Sequence, residues 1–299
     1  MNLRESILYK LSNNWSSQFK NRPDYGDPSS EDYGYNYALH SQYLRTVKSP
    51  INFDFYGKHI LEIGCGHGGI SCFYAVNGAE NVVGIDFNKR NLKTADNFAK
   101  KLENYVGAKS RKDLPVQFME MDASKLDFDD GSFDIVLADN AFEHFMEPEK
   151  VMKEASRVLK KGGQLIVPIF SSWWSKNGLH LKHGIKVPWA NLFLSEKSIL
   201  NVLYRKAETD PDLIDFYPGI KNKPDFIREV RKYKDLNYIT YGAFKKMARR
   251  QNFTISEFSV LGTRNLRFIS RILRRIPIIN KTRLIDIFST GASAILTKK

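Results

Sequence analysis

Four glycines and one carboxylate lie within the stretch LEIGCGHGGIS, residues 61–71, between an apolar run and a helix-like run. A glycine-rich turn between a strand and a helix N-terminus lets a bulky ligand approach the backbone amides. Gly64, Gly66 and Gly69 also fit the fingerprint of dinucleotide-binding proteins, so the glycines alone leave the ligand open. The spacing therefore predicts a nucleotide-binding corner without choosing its cofactor.

The carboxylates around this turn narrow the choice of ligand. Glu62 lies two positions before the first glycine, where it would repel a pyrophosphate but tolerate a sulfonium and an ammonium group. Asp86 ends the next apolar run, 20 residues after Gly66, and its two oxygens suit a ribose diol. Asp122, followed by Ala123, can accept a hydrogen bond from an adenine amino group. This set favours a positively charged adenosine derivative.

A candidate base follows in the segment Asp139-Asn140-Ala141-Phe142-Glu143-His144. An unperturbed imidazole titrates near neutrality, so His144 could take the proton from a hydroxyl nucleophile. The Glu143-His144 pair is equally compatible with a purely structural turn. His180 and His183 are two more imidazoles, three residues apart in a tryptophan-rich stretch.

These residues need a scaffold that brings the ends of several strands to one edge. Short apolar runs predict strands at residues 58–63, 81–86, 116–122, 133–139 and 164–170. Helical patterns lie between them at 69–78, 88–106 and 148–160, the last ended by Lys161-Gly162-Gly163. Such alternation is typical of a parallel sheet covered on both faces. A helix near 240–250 and late strands at 253–261 and 291–298 complete the predicted α/β fold.

The motifs LEIGCGHGG, VVGIDFN, MDASKLDFDDGSFDIVLADNAFEHF and VLKKGGQLIV resemble those of class I S-adenosylmethionine-dependent methyltransferases, particularly the small-molecule branch, over about residues 57–170. The resemblance implies a Rossmann-like doubly wound sheet of seven strands, parallel with a late antiparallel strand, and a cap inserted after strand five. It also implies S-adenosyl-L-methionine as the methyl donor. The implied cofactor-binding residues are Glu62, Gly64, Cys65, Gly66, Gly68, Asp86, Phe87, Asp122, Ala123 and Asp139.

Within that set the resemblance assigns parts of the cofactor. Gly64, Gly66 and Gly68 would lie beside the methionine part, and Asp139 would face the methionine or methyl end. Asp86 would hold the ribose hydroxyls, and Asp122 with Ala123 the adenine. Glu62 would brace the loop.

The resulting interpretation is O-methylation of a small acceptor, hydrophobic or lipid-linked. A sulfonium methyl is already electrophilic, so the protein mainly aligns the nucleophile for in-line transfer. The candidate catalytic residues are His144, Asp139, His180 and His183. The alternatives are methylation of nitrogen or carbon, 2′-O-methylation of RNA, and a non-catalytic cofactor-binding partner protein.

A metal is not expected. Ubiquinone-pathway and small-RNA methyltransferases carry Glu-x-x-Glu-His at this point and grip a divalent ion with it. In this sequence Asn140 stands in place of the first glutamate, and an amide is a poorer ligand. His180 and His183 could supply further imidazole ligands at their three-residue spacing.

The sequence divides into four predicted parts. Residues 1–50 form an N-terminal cap, with a helix over 3–20 and a tyrosine-rich loop over 21–40; residues 51–170 form the cofactor-binding core. Residues 171–237 form a lid whose Trp173, Trp174 and Trp189 wall an acceptor pocket or fill the lid's own core. Residues 238–299 complete the sheet and add a basic helix. The tyrosines of the loop, which close the acceptor pocket or pack the loop itself, are Tyr25, Tyr33, Tyr35 and Tyr37.

The net charge of +13 comes from the last quarter of the sequence, since residues 221–299 hold 19 Lys and Arg against 5 Asp and Glu. On a helix, residues 264–277 separate into an apolar stripe and an arginine face. Either the stripe packs on the sheet and the arginines are solvated, or residues 264–283 contact anionic membrane lipids, or the arginines bind a phosphate-bearing acceptor. Nucleic acid is not the expected partner, because no RNA-binding module accompanies the charge. A cytoplasmic location is expected from the absence of a signal sequence. Cys65 and Cys72 are expected to be buried thiols, about 10 Å apart and too far for a disulfide.

Overall fold

A computed structural model describes residues 2–16, 31–47, 51–110, 114–176, 178, 185, 187–208, 237–262 and 284–299. Its centre is a seven-stranded sheet with the strand order β3-β2-β1-β4-β5-β7-β6. The strands are β1 (His59–Ile63), β2 (Asn81–Asp86), β3 (Val116–Glu120), β4 (Phe133–Leu137), β5 (Leu159–Phe170), β6 (Phe253–Gly262) and β7 (Ser289–Lys298).

Strand directions confirm the predicted fold class. The pairs β1–β2, β1–β4, β2–β3 and β4–β5 are parallel, whereas β7 is antiparallel to β5. The seven strands thus form a mixed Rossmann-like sheet with one antiparallel member. The central strands are buried because apolar side chains alternate onto two covered faces: Ile60, Leu61 and Ile63 of β1 are at most 1% exposed.

Helices cover the sheet and connect its strands. They are α1 (Leu3–Ser16), α2 (Glu31–Tyr37), α3 (Leu44–Val47), α4 (Gly69–Val76), α5 (Lys89–Ser110), α6 (Pro148–Val158), α7 (Ala190–Phe193), α8 (Glu196–Ala207), α9 (Tyr241–Arg250) and α10 (Leu284–Ile287). A π-helical segment, Ala38–Tyr43, joins α2 to α3. None of the helices in these ranges has the length and apolar character needed to cross a bilayer.

The end of α6 differs from the prediction. The helix stops at Val158, and Leu159 is already extended with φ −72° and ψ 141°. Leu159 is fully buried and pairs with Phe133 of β4, so tertiary packing draws it into β5. The Lys161-Gly162-Gly163 sequence therefore lies within β5 and not at the helix end.

The prediction of a loop over residues 21–40 is wrong for residues 31–40, which lie in α2 and the π-helical segment. Tyr35, Leu39 and Tyr43 recur every fourth residue and pack on the cluster around Phe98 of α5. The ring of Tyr35 lies 5.3 Å from that of Phe98. Burial of this face stabilises the helix. The turn-forming residues that precede it in sequence are what predicted a loop. Residues 17–30 lie outside the described ranges.

The chain divides into two compact units. One comprises residues 25–170, 243–259 and 292–299 and holds most of the sheet; the other comprises residues 1–24, 171–242 and 260–291. The second unit has its own apolar cluster, formed by Leu8, Ile185, Ala190, Ile199, Val202 and Leu203. The four predicted parts, 1–50, 51–170, 171–237 and 238–299, remain a prediction of domain organisation.

Two tryptophans of the predicted lid pack within the second unit. Trp173 lies against its apolar cluster, with its ring 4.7 Å from that of Tyr238. Trp189 donates a hydrogen bond from Nε1 to the carbonyl of Ile287 at 2.7 Å. Both rings therefore contribute to the internal packing of this unit.

Candidate functional site

The turn after β1, residues 64–69, is here named the glycine loop. Gly64, Gly66 and Gly68 have φ values of +73°, +55° and +77°. This left-handed region favours glycine, because a Cβ atom would strain the backbone. The amides of Gly64 and Cys65 both donate to the carbonyl of Ile85 at 2.8 and 2.9 Å. The loop is thus sharply bent and attached to the end of β2.

Two of these glycines also lie against other side chains. A Cβ on Gly68 would come within 2.6 Å of both Ala95 Cβ and Phe118 Cζ. A Cβ on Gly64 would lie 3.0 Å from Ala141 Cβ, which places the segment after β4 beside the loop. Gly68 precedes the first residue of α4, so the loop leads directly into a helix N-terminus. Backbone amides at such a terminus can bind anionic groups such as a carboxylate.

Asp86, the last residue of β2, fixes the loop from the neighbouring strand. It is 8% exposed, and its Oδ2 accepts the Gly66 amide at 2.9 Å while Oδ1 accepts the Asn88 amide at 2.8 Å. Burial raises the pKa of the Asp86 carboxyl, and the backbone hydrogen bonds from Asn88 and Gly66 oppose that rise. A carboxylate oxygen has more than one lone pair, so each can still accept a ribose hydroxyl.

Glu62 lies inside the sheet at 1% exposure and accepts a hydrogen bond from the Ser71 hydroxyl of α4. This hydrogen bond connects β1 to α4 on either side of the glycine loop, as expected if Glu62 braces the loop. Burial raises the pKa of both the Cys65 and Cys72 thiols, and the Glu62 charge adds to the rise. The two cysteines are free and buried, which confirms that prediction.

Phe87 follows the end of β2, and the two residues assigned to adenine, Asp122 and Ala123, follow the end of β3. The Phe87 side chain is 77% exposed, which leaves its ring face open to a ligand. Strand β3 ends at Glu120 and not at Asp122, because the chain there turns: the Ser124 amide donates to Asp122 Oδ1 at 2.8 Å. The Met121 amide still donates to the Asp86 carbonyl at 3.2 Å, which holds the chain after β3 beside the end of β2. Asp122 and Ala123 follow directly from this point. Their role toward adenine stays a prediction.

The segment Asp139–His144 begins after β4, which ends at Leu137 and not at residue 139. The Asn140 amide donates to the Ile169 carbonyl at 2.8 Å, with Asn140 itself at φ +51°. Residues Phe142–His144 form one 3₁₀ turn, in which Glu143 is buried and His144 is half-buried. Because Ala141 lies beside Gly64, the structure brings this turn to the glycine loop. His180 and His183 lie outside the described residues.

Gln42 is a loop contact that sequence reasoning missed. Its Nε2 donates to the Cys65 carbonyl at 3.1 Å, and its Oε1 accepts the Gly69 amide at 3.0 Å. One carboxamide therefore spans the glycine loop from its second residue to its last. No sequence signal marks this glutamine, because the contact depends on the π-helical segment that carries it.

His67, within the glycine loop, was also overlooked as a candidate. Its ring lies 5.1 Å from the ring of Tyr37. Burial lowers the pKa of His67 to about 4, and the positive charge of Arg90 adds to the lowering. The imidazole is therefore neutral near pH 7 and offers a hydrogen-bonding group without a charge. Its position within the glycine-rich motif, in the sequence HGG, could have indicated it as a site candidate.

Two further features bear on what the site can hold. Within the described ranges, no three His, Cys, Asp or Glu side chains converge to hold a metal ion. A cleft of about 460 Å³ is lined by residues 52–56 and Asn77, which precede β1 and follow α4. That cleft is at the amino end of β1, whereas the glycine loop follows its carboxyl end, so the cleft is separate from the candidate site.

Comparison with known proteins agrees with this geometry. Residues 61–167 match the family model described as a methyltransferase domain. The sequence is 34% identical over 116 residues to a demethylmenaquinone methyltransferase from Clavibacter sepedonicus, covering 39% of this chain and 42% of that protein. It is 29% identical over 150 residues to a fatty-acid O-methyltransferase from Mycolicibacterium smegmatis, covering 50% of this chain and 49% of that protein. The chain spans about half the length of the curated relatives it matches.

A solved structure shows a similar fold. The crystal structure of an S-adenosylmethionine-dependent methyltransferase from Mesorhizobium loti superposes with a TM-score of 0.50 at 14% sequence identity. The match covers 91% of this chain and 100% of that one. At this identity the likeness is one of fold.

Proposed function

We propose, from the premise that residues 61–167 form a class I S-adenosylmethionine-dependent methyltransferase domain, that this chain methylates a hydroxyl group of a small hydrophobic or lipid-linked acceptor. The observation that carries the proposal is the pairing of a left-handed glycine loop with the Asp86 carboxylate that fixes it. A turn bearing His144 lies beside the same loop through Ala141 and Gly64.

The residues present fit S-adenosylmethionine. Gly64, Gly66 and Gly68 carry no side chains of their own at the bend of the loop, which favours close approach of a ligand to the backbone. The buried carboxylates of Glu62 and Asp86 make the surroundings negative, which suits a ligand with a sulfonium and an ammonium group. When bound, this cofactor supplies an electrophilic methyl group.

Each part of the site has one task in this proposal. Asp86 holds the ribose hydroxyls, Phe87 covers the adenine and Asp122 with Ala123 accepts from its amino group. The glycine loop and Asp139 hold the methionine part. His144 would accept the proton that the acceptor hydroxyl loses as its oxygen bonds the methyl carbon and the S–CH3 bond breaks, which leaves S-adenosylhomocysteine.

The acceptor class rests on the relatives. One is named for a demethylated menaquinone and the other for a fatty acid, and both acceptors are largely apolar. A hydroxyl is preferred over nitrogen or carbon in the proposal because His144 supplies a base at the loop.

The test is a methyl-transfer assay with labelled S-adenosylmethionine, offering a hydroquinone and a hydroxylated or carboxylated lipid as acceptors. His144→Gln is expected to lower the transfer rate by about 100-fold or more while the Kd for S-adenosylhomocysteine stays within about two-fold. Met146→Ala, at a 51% exposed position two residues later, is the matched control and keeps the wild-type rate.

Three outcomes would contradict parts of the proposal. An unchanged rate for His144→Gln would contradict the role of His144 as the base, without contradicting methyl transfer itself. Binding of S-adenosylhomocysteine without transfer to any acceptor favours the non-catalytic partner protein. Binding of NAD with no binding of S-adenosylhomocysteine in calorimetry overturns the cofactor itself.

A further inference from the structure

We propose that α1 docks this chain onto an anionic lipid surface through an exposed stripe, defined as Leu3, Ile7 and Leu11 with the flanking cations Arg4 and Lys10. The inference concerns a surface in the unit that does not contain the glycine loop. It goes beyond the proposed methyl transfer and does not depend on it.

The inner face of α1 is fixed by packing. Leu8 is 3% exposed and belongs to the cluster with Ile199, Val202 and Leu203, three residues of α8. Glu5 is 5% exposed, and its Oε1 accepts from the Asn201 amide group of α8 at 3.2 Å. These contacts determine which side of the helix faces outward.

Three large apolar side chains lie on the outward side. Leu3 is 77% exposed, Ile7 50% and Leu11 43%. Their spacing of four residues places them within about 80° of one another around the helix. Single exposed apolar residues are ordinary on protein surfaces, but three on successive turns form a contiguous patch that marks an interaction surface.

The charges on this side identify the partner. Arg4 and Lys10 are both exposed and lie about 20° beyond the two edges of the apolar stripe. The acid of this helix, Glu5, is held on the buried side by its hydrogen bonds with Asn2 and Asn201. Between residues 3 and 11 the exposed face therefore carries two cations, and the one acid of this stretch, Glu5, lies on the buried side.

An apolar stripe flanked by cations complements the boundary between acyl chains and anionic headgroups. Leu3, Ile7 and Leu11 can enter the acyl region, while the long stems of Arg4 and Lys10 reach back to the phosphates. Pairing with α1 of a second copy is less favourable, because it would bring like charges together at both edges of the stripe. Charge complementarity thus favours a lipid surface over self-association.

The test is sedimentation of the full chain with phosphatidylcholine vesicles and with mixed phosphatidylcholine–phosphatidylglycerol vesicles. The triple variant Leu3→Ser/Ile7→Ser/Leu11→Ser is expected to lower partitioning at least about ten-fold, since one leucine-sized side chain contributes roughly that much when buried. Arg4→Gln/Lys10→Gln is expected to weaken binding to the anionic vesicles by about five-fold for each charge removed. Tyr56→Ser, which removes a 78% exposed ring in the other unit, is the matched control and leaves binding unchanged.

A second measurement locates the contact without disturbing the stripe as a whole. Cys65 and Cys72 are 0% exposed, so Ile7→Cys can be labelled selectively with an environment-sensitive dye. The dye emission is expected to shift to the blue on addition of the anionic vesicles. A dye that stays in water while the protein sediments with the vesicles would overturn the assignment to α1.

The basic segment at residues 264–283 is a separate candidate for lipid contact, and the same assay distinguishes the two. Arg271→Gln/Arg274→Gln/Arg275→Gln is the comparison variant. Binding that this variant loses and the triple serine variant retains would overturn the proposal. So would an absence of wild-type binding at low salt. Concentration-dependent self-association that the triple serine variant abolishes, without vesicle binding, would assign the stripe to a second copy.

Discussion

The side chain of Gln42 joins the N-terminal helical segment to the glycine loop with two hydrogen bonds. Because one atom donates to Cys65 and the other accepts from Gly69, the carboxamide restrains both ends of the turn that binds the cofactor in our proposal. A residue far from the motif in sequence is therefore a positioning residue for the loop. It acts through the loop backbone and not on the reacting atoms.

Gln42→Ala is expected to raise the Kd for S-adenosylhomocysteine by about ten-fold, since two hydrogen bonds of ordinary strength hold the loop. Gln42→Glu keeps the acceptor for Gly69 but loses the donor to Cys65, and an intermediate Kd is expected. His40→Ala, at an exposed position two residues earlier, serves as the control for the segment. Calorimetry at fixed pH measures all three, and equal affinities for Gln42→Ala and wild type would remove the positioning role.

The pKa of His67 makes a prediction about acid stability. The pKa is about 4 in the folded chain against a usual value near 6.5, so the unfolded chain binds more protons between these two pH values. The contribution of neutral His67 to the free energy of unfolding is fully present above about pH 6.5 and is lost as pH falls through 4, a change of about 3 kcal/mol. His67→Phe keeps a ring against Tyr37 and is expected to flatten this dependence in denaturant titrations at pH 7 and pH 4.5. An unchanged pH dependence in His67→Phe would contradict the assignment.

Residue types with a chemical signature could be predicted as site candidates from the sequence, whereas contacts made by tertiary packing could not. Asp86 follows an apolar run at a fixed distance from Gly66, and the structure places its carboxylate on that glycine's amide. Gln42 lies in a stretch without such a pattern, so only the folded π-helical segment relates it to the loop. His67 stood within the motif, but its burial against Tyr37 depends on a helix that the sequence concealed.

At the scale of elements, the strand and helix order of the core was predictable because buried parallel strands are continuous apolar runs. The residues at which individual strands and helices end were less predictable. Strands β3 and β4 stop two residues before Asp122 and Asp139, since the chain leaves the ladder to present these residues in turns. The sequence did not indicate α2 because glycine, proline and serine precede it, although Tyr35 of α2 packs on the Phe98 cluster together with Leu39 and Tyr43 of the π-helical segment.

The connection from β1 to α4 gives a prediction from a matched pair of glycines. Gly68→Ala places a Cβ 2.6 Å from Ala95 and Phe118 in a left-handed backbone at φ +77°. Gly57→Ala has a similar φ of +64° but meets nothing within 4 Å, so it incurs the backbone strain alone. The expected losses of unfolding free energy are about 3 kcal/mol for Gly68→Ala and about 1 kcal/mol for Gly57→Ala. Urea titration measures the difference, and equal losses would show that crowding at Gly68 is relieved.

At the scale of the whole molecule, the two compact units share their late strands. Residues 253–259 of β6 belong to one unit and 260–262 to the other, and β7 is divided in the same way after residue 291. The backbone of each late strand therefore passes from one unit into the other.

In calorimetric unfolding of the full chain, the midpoint for the unit that holds the glycine loop is expected to rise with S-adenosylhomocysteine. At a ligand concentration of 100 times Kd, the free energy of unfolding increases by about 2.7 kcal/mol. Asp86→Ala is expected to reduce this increase at the same concentration, because its carboxylate fixes the loop and holds the ribose in our proposal. A midpoint that does not move at this ligand concentration would contradict binding at the glycine loop.

The position of β7 between β5 and β6 has a consequence for how the chain reaches its native state. Gln164 of β5 pairs with Thr297 of β7, so the central part of the sheet is closed by segments that are far apart in sequence. Until the chain between β5 and β7 brings β7 into place, β5 has unpaired amides and carbonyls along one edge. The side chains on that strand, Leu165, Ile166 and Val167, are fully buried in the folded protein. An incompletely folded chain exposes this edge to pairing with other chains, so slow production and chaperone assistance are expected to increase the yield of active protein.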